Sequence, residues 1–374
     1  MNMPRRLVAS VAGQAIGLIC GGGLVMLAIS PNLVSSSFSP VKEGDVGVSS
    51  RELNGVQTLP AIYPKPTPTD GTYPQASSFA LDLKRKDFSP RNAHYMAHLS
   101  RVAYADKSQA SKRCSDLGLE SFHWFTKKSN AEKGLDHDTQ SFVASNGQFT
   151  VVVFRGTTSL SDWATNTLVW RIETPYGSVH RGFNAAVDTV WAEMLPVIKR
   201  IHKEDPSKPI YVCGHSLGAA LASIATARLE LDENIEIANL YTIGSPRVFQ
   251  KDFAEKFDEV LKKKTFRAVN NNDIVTDLPF DNNVINTNLF NFRHIGNLIY
   301  ITRRGNIGGR GWWDGIAGRF QALLGGTISD GKADHSAINY EEVFRREAVK
   351  AEKGLLVQVA GKVASTVMEV SNLF

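Results

Sequence analysis

Ser216 is the first residue that could do chemistry, because it lies between two glycines in the segment GHSLG (214–218). The preceding segment, 208–213 (KPIYVC), is short, apolar and rich in residues that favour strands. The following segment, 219–232, is rich in alanine and has apolar residues at helical spacing. A serine on a sharp turn between a strand and a helix is the arrangement that activates a nucleophile. Ser216 is therefore the predicted nucleophile, and an ordinary serine in a β–α connection is the alternative.

A base must accompany this serine, because a hydroxyl is a weak nucleophile at neutral pH. Where such sites follow the chain order serine, acid, histidine, the base lies after the nucleophile. Only His294 and His335 follow Ser216 among the nine histidines. His294 lies in a strand-like segment, whereas His335 lies in a polar, glycine-bearing segment that suits a residue exchanging protons with a substrate. His335 is the predicted base and His294 the alternative.

The acid of such a set should follow a strand between the nucleophile and the base. The run TFRAVN (265–270) predicts that strand, and Asp273 lies just beyond it. Asp277 is the alternative, with a solvated turn before Pro279 as its simpler explanation. The acid would hold the imidazole in one tautomer and stabilise the imidazolium.

Two backbone N–H groups must also point at the oxyanion that develops during acyl transfer. The residue after the nucleophile, Leu217, supplies the first in this arrangement. A loop after an earlier strand supplies the second. The segment VVVFRGTT (151–158) predicts a strand followed by a tight loop, and Thr157 is the predicted donor.

Composition excludes several other classes of protein. The chain has 374 residues, of which 43% are hydrophobic, and a net charge of +5 that is scattered rather than clustered. It carries no nucleic-acid-binding motif, and three cysteines do not make a disulfide framework. His94 and His98 are four residues apart on a predicted helix, but the glutamate of a zinc-protease motif is absent. No metal or cofactor is expected.

Alternating strand-like and helix-like segments predict an α/β fold with a mostly parallel central sheet. Four parts are expected along the chain: a membrane anchor or signal segment at 1–30, a tether rich in proline and serine at 31–78, the globular domain at 79–347 and a C-terminal amphipathic helix at 348–374.

Residues 7–30 form an uncharged apolar run behind Arg5 and Arg6. Its length predicts an N-terminal membrane helix, with its basic end in the cytoplasm and the globular domain outside. Cleavage of the segment as a secretory signal is the alternative, and it would release the domain as a secreted protein. A membrane surface is an expected partner in either case.

Six motifs occur in an order that resembles the class 3 lipase family, which includes the fungal triacylglycerol lipases and their bacterial and plant relatives. They are VVVFRGTTSLSDW, VHRGF, GHSLG, IGSPRV, VNNNDIVTDLP and DHSAINY. The likeness covers roughly residues 90–345. It implies an α/β-hydrolase fold and hydrolysis of ester bonds in acylglycerols or phospholipids, without a cofactor.

The resemblance also implies roles by position. Ser216, Asp273 and His335 match the nucleophile, acid and base, and Thr157 and Leu217 match the oxyanion positions. The segment after Thr157 resembles the family's lid, and its expected lipid-contacting residues are Trp163, Leu168 and Trp170. The chain departs from the family at Thr276 and Asp277, where proline and a basic residue are common.

Two other functions remain open at this point. One keeps ester hydrolysis but acts on soluble esters or thioesters, as a feruloyl-type esterase or a thioesterase does. The other is a membrane-inserted toxin or scaffold, in which residues 7–30 are the active part and the hydrolase domain is accessory. The sequence carries no signal of oligomeric state.

Overall fold

The computed structural model describes residues 16–20, 23–27, 81–128, 138–157, 171–271, 273–279, 291–308 and 334–371. The chain divides into two compact units, Met1–Pro60 and Ala61–Phe374.

The first unit contains a β-hairpin where a membrane helix was expected. Strands β1 (Ile16–Cys20) and β2 (Gly23–Leu27) pair antiparallel, with Cys20 opposite Gly23. The predicted helix over residues 7–30 is therefore wrong at these positions, and its other residues lie outside the described part of the chain. Glycine is a poor helix former and β-branched residues favour strands, which gives a physical reason for the hairpin. None of the described helices is both long and apolar enough to cross a bilayer.

The second unit alternates strands and helices. Its helices are α1 (Pro90–Val102), α2 (Lys107–Asp116), α3 (Arg181–Glu204), α4 (Leu217–Ala227), α5 (Lys251–Leu261) and α6 (Ala337–Ser371). Its strands are β3 (Ser121–Lys128), β4 (Asp138–Ser145), β5 (Thr150–Phe154), β6 (Arg171–Thr174), β7 (Gly177–His180), β8 (Ile210–His215), β9 (Asn239–Ile243), β10 (Phe249–Gln250), β11 (Thr265–Asn270), β12 (Phe292–Arg293) and β13 (Asn297–Ile301). Short 3-10 turns cover Lys262–Lys264 and Ile274–Asp277, and a π-helical turn covers Arg228–Asp232.

A seven-stranded sheet organises this unit, in the order β13-β11-β9-β8-β5-β4-β3. The five strands from β13 to β5 are parallel, whereas β4 and β3 are antiparallel additions at one edge. A separate four-stranded sheet has the order β12-β10-β7-β6. The predicted α/β class with a mostly parallel central sheet is confirmed, and the topology agrees with an α/β-hydrolase fold.

Helices cover both faces of the large sheet, so its central strands are buried throughout. In β5, Val152 and Phe154 pack with α3 and α4, while Val151 and Val153 pack with α1 and α6 on the other face. This alternation is the period of two that a strand imposes on its side chains. Burial on both faces explains why β5, β8 and β9 are continuous apolar runs in the sequence.

Parallel strands end at the same edge of a sheet, and this places several loops together. The loops after β5, β8 and β11 all leave from that edge. The long helix α6 begins two residues after His335 and packs against α1. The predicted domain boundaries stay a prediction, and the one at 347 falls inside this helix.

Candidate active site

Ser216 lies at a strained turn between β8 and α4. Its backbone has φ 60° and ψ −130°, a conformation that residues with a side chain rarely adopt. A Cβ on Gly214 would collide with the backbone of Gly218, and a Cβ on Gly218 would collide with the Phe154 carbonyl. The two glycines of the motif are therefore required for the helix to pack this closely on the sheet.

Asp273 and His335 are in direct contact. Nδ1 of His335 lies 2.8 Å from Oδ1 and 2.9 Å from Oδ2 of Asp273, and both side chains are buried. A carboxylate accepts hydrogen bonds, so Nδ1 donates and the neutral ring keeps its lone pair on Nε2. This is the tautomer that a general base needs.

Two buried polar atoms of the site have no hydrogen-bond partner among the described residues. They are Oγ of Ser216 and Nε2 of His335. A buried polar atom without a partner costs about 1–3 kcal/mol, so proteins rarely keep one without a reason. Their presence in one site is what an unoccupied nucleophile and base would show.

The two alternatives from the sequence lie in different interactions. The Asp277 carboxylate forms an ion pair with Arg247, at 3.7 Å from Oδ1 to Nη2. Nε2 of His294 donates to the carbonyl oxygen of Thr276 at 2.8 Å. The structure thus brings His335 together with Asp273 and not with Asp277.

The two predicted oxyanion donors follow neighbouring parallel strands. Leu217 is the first residue of α4, and the N–H groups of a first helical turn have no acceptor within the helix. Thr157 lies three residues beyond the end of β5, which pairs directly with β8. Both therefore lie at the edge of the sheet where Ser216 is found. The predicted lid residues Trp163, Leu168 and Trp170 lie outside the described residues.

Tyr340 is a site residue that sequence analysis missed. Its hydroxyl donates to Oδ2 of Asp273 at 2.6 Å and accepts from the backbone N–H of Asn270 at 2.8 Å. Burial, reinforced by the neighbouring Asp273 carboxylate, raises the pKa of Tyr340 well above its ordinary value, so it stays a donor. The only signal in the sequence was its place as the last residue of the motif DHSAINY.

The loops that carry the acid and the base are also tied directly together. The side-chain amide of Asn270 donates to the backbone carbonyl of Asp334 at 2.8 Å, and that of Asn271 donates to the Asp334 carboxylate at 3.0 Å. Asn270 and Asn271 thus hold the residue that precedes His335, a role that their place in a motif did not reveal.

His215 is a second missed residue, although it lies inside GHSLG. Nδ1 of His215 lies 2.9 Å from the Tyr104 hydroxyl, and Nε2 lies 2.7 Å from the backbone oxygen of His335. Burial, together with the neighbouring His335, lowers the pKa of His215 well below its ordinary value. His215 is therefore neutral at pH 7.

The histidine pair on α1 lies apart from these residues. Nδ1 of His98 lies 2.9 Å from a carboxylate oxygen of Glu341 on α6. Within the described ranges, no cluster of three or more histidine, cysteine, aspartate or glutamate side chains could hold a metal ion.

One known protein family matches the part of the chain that contains the site. The model of the family described as Lipase (class 3) matches residues 151–283. This range contains Ser216 and Asp273. This part of the chain is similar to the class 3 lipase family, as the order of its motifs predicted.

The matches to known relatives cover only part of each chain. The chain is 32% identical to a lipase of Rhizomucor miehei over 176 residues, which are 45% of this chain and 46% of the relative. It is 30% identical to the secreted mono- and diacylglycerol lipase LIP1 of Malassezia globosa, over 26% of this chain and 32% of the relative. The chain thus spans less than half the length of these curated relatives. A solved lipase of Rhizopus microsporus var. chinensis is 25% identical, covers 60% of this chain and 76% of its own, and has a TM-score of 0.47.

Proposed function

We propose that this protein is a serine hydrolase of lipid esters, with acylglycerols as its main substrates. One observation carries the proposal: a histidine with a carboxylate on Nδ1 and a free Nε2 shares a buried site with a serine on a strained elbow. Acyl transfer through a covalent intermediate needs this combination of groups.

The proposed mechanism follows from the geometry. Nε2 of His335 takes the proton of the Ser216 hydroxyl as its oxygen attacks the ester carbonyl. Asp273 holds the imidazole and stabilises the imidazolium that forms. The same histidine then protonates the leaving alcohol, and a water molecule repeats the sequence to release the fatty acid.

The backbone N–H groups of Leu217 and Thr157 are proposed to bind the oxyanion. The helix that begins at Leu217 directs the positive end of its dipole at the same place. Losing one such donor lowers turnover by about 10²–10³-fold in related chemistry. The lid residues Trp163, Leu168 and Trp170 are proposed to contact the acyl chains.

Acylglycerol is favoured over other esters because the Malassezia globosa relative is named as a mono- and diacylglycerol lipase. Phospholipid and soluble ester are the other substrates to be tested. The word "secreted" in the same name supports a site of action outside the cytoplasm, at a lipid surface. Fractionation of expressing cells, with the protein found only in the cytoplasm, would contradict this location.

The test uses the full chain with three substrates: p-nitrophenyl butyrate, a tributyrin emulsion and phosphatidylcholine vesicles. We expect hydrolysis of the first two and loss of both in Ser216→Ala. Ser223→Ala is the matched control, because Ser223 is a buried serine on the same helix whose hydroxyl donates to the Ala219 carbonyl. It should keep parental activity.

Each other result has a definite meaning. Hydrolysis of vesicles but not of tributyrin would replace acylglycerol by phospholipid as the substrate. Hydrolysis of the soluble ester alone would support an esterase. Equal activity of the parent and Ser216→Ala, or no activity in the parent, would overturn the proposed function.

A further inference from the structure

A buried chain of hydrogen bonds connects three loops of the site. The hydroxyl of Tyr104, just after α1, packs against Gly156 and leaves no room there for a Cβ. The same hydroxyl lies 2.9 Å from Nδ1 of His215. His215, the last residue of β8, continues the chain to the backbone oxygen of His335 at 2.7 Å. The loop after β5, the elbow and the loop of the base are thus linked by two side chains.

Every proton in this chain can be placed. The His335 carbonyl only accepts, so Nε2 of His215 carries a hydrogen. Because His215 is neutral, its Nδ1 is a lone pair and accepts from the Tyr104 hydroxyl. The phenol oxygen also lies against Gly156, where it leaves no room for a Cβ. Each group therefore has one role, and the tautomer of His215 is fixed by its two neighbours.

The position of His215 beside the base also has an electrostatic consequence. The two imidazole rings lie 4.7 Å apart between centroids. A positive charge on His215 would oppose the imidazolium that must form on His335 during attack. Burial and the neighbouring His335 lower the pKa of His215, so the ring is neutral, and its Nδ1 lone pair can accept from the Tyr104 hydroxyl.

We propose that His215, together with Tyr104, is a positioning residue that fixes the backbone of His335 and of Gly156 relative to Ser216. His335 is held at its ring by Asp273 and at its main chain by His215. Gly156 precedes the predicted oxyanion donor Thr157. The same two side chains thus align the base and the oxyanion loop. This inference rests on the proposed function.

Displacement of the base by about 1 Å can cost about 10²-fold in rate, which sets the expected size of the effect. His215→Leu removes both hydrogen bonds at similar volume. We expect kcat on p-nitrophenyl butyrate to fall about 30–100-fold, with KM within about twofold. His215→Gln keeps an N–H able to reach the His335 carbonyl, so it should retain activity within about fivefold of the parent.

Tyr104→Phe keeps the ring and removes the hydroxyl. His215 can then exchange its tautomer, and we expect kcat to fall about three- to tenfold. Tyr211→Phe is the matched control, because Tyr211 is a buried tyrosine at the opposite end of β8 from His215. It should leave kcat unchanged.

Two readouts separate positioning from loss of folding. Kinetics are normalised to the concentration of sites titrated with a phosphonate ester, so that misfolded protein does not count. A double-mutant cycle then combines Tyr104→Phe with His215→Leu. We expect the tyrosine substitution to have no further effect once His215 is gone, because the two act as one unit.

The outcomes distinguish this inference from the proposed function. An active parent whose His215→Leu variant has parental kcat per titrated site would overturn the inference alone. Additive effects in the cycle, or a glutamine variant as slow as the leucine variant, would overturn it as well. An inactive parent, or an active Ser216→Ala variant, would overturn the proposed function and this inference with it.

Discussion

Two buried polar regions of the domain differ in the hydrogen-bond partners of their polar atoms. In the corner formed by Ser216, Asp273 and His335, Oγ of Ser216 and Nε2 of His335 have no hydrogen-bond partner among the described residues. In the seam between α1 and α6, the Glu341 carboxylate is shared by His98 and Arg101. The corner thus leaves its serine and one nitrogen of its histidine available to a ligand, whereas the seam holds its carboxylate between two partners.

The difference indicates that the corner is suited to chemistry and that the seam contributes to the stability of the fold. Unpartnered groups are free to bind a reacting substrate, and they lower the stability of the fold. The Glu341 carboxylate of the seam is occupied by its partners, and removing one partner of a buried charge pair is strongly destabilising. Glu341 directly follows Tyr340, which holds the acid, so the seam also anchors the corner.

Ser216→Ala should give the largest effect. It removes the nucleophile, and we expect kcat/KM to fall by at least about 10⁴-fold, or about 5.5 kcal/mol. It also removes a buried hydroxyl without a partner, so the free energy of unfolding should stay the same or rise by about 1 kcal/mol. Urea denaturation measures the second quantity. A loss of stability above about 1 kcal/mol would show that the hydroxyl contributes to the fold.

Asp273→Asn should come next, with kcat lower by about 10²–10⁴-fold. An asparagine can orient the ring in the wrong tautomer and cannot stabilise the imidazolium. Kinetics per titrated site measure the effect. Asp277→Asn is the matched control, because that carboxylate pairs with Arg247 instead, and we expect activity within about threefold of the parent. Similar losses in the two variants would contradict the assignment of the acid.

The sequence predicted the parts of the corner that depend on local pattern. A strand, a serine between glycines and a helix identify the elbow, and the strand at Thr265–Asn270 has the predicted bounds. These elements follow from apolar periodicity, which a single sequence displays.

Contacts between distant segments were not visible in the same way. Tyr340 reaches Asp273 across 67 residues, and Tyr104 reaches His215 across 111. No periodicity records such pairs. At the N-terminal segment the local pattern itself was ambiguous, because an apolar run is compatible with a membrane helix or with paired strands. The structure has the strands Ile16–Cys20 and Gly23–Leu27 where the helix was expected.

Glu341→Gln tests the seam. It leaves His98 and Arg101 without their charged partner, and we expect the free energy of unfolding to fall by about 3 kcal/mol. Activity per titrated site should stay within about threefold, since the corner keeps its own contacts. Glu342→Gln is the control, because Glu342 forms a more exposed pair with Arg345 and should cost less than about 1 kcal/mol. Equal losses of unfolding free energy in the two variants would contradict a larger contribution from the more buried pair.

His94 gives the smallest predicted effect, and it depends on pH. Burial in the seam lowers the pKa of His94 to about 4, and its charged neighbours Glu341, His98, Arg345 and Glu342 act in opposing directions. The unfolded chain takes up this proton near the ordinary value of about 6.5, so unfolding binds a proton between these two values. The free energy of unfolding must therefore fall as the pH falls through this window.

The expected size is about 2 kcal/mol between pH 7.5 and pH 5. His94→Gln removes this contribution, so the variant should lose about 2 kcal/mol less than the parent over the same interval. His215 remains in the variant and contributes in the same direction, because burial lowers its pKa also. His202→Gln, at a half-buried position on α3, is the control. A His94→Gln variant that loses as much stability as the parent would show that the seam does not exclude this proton.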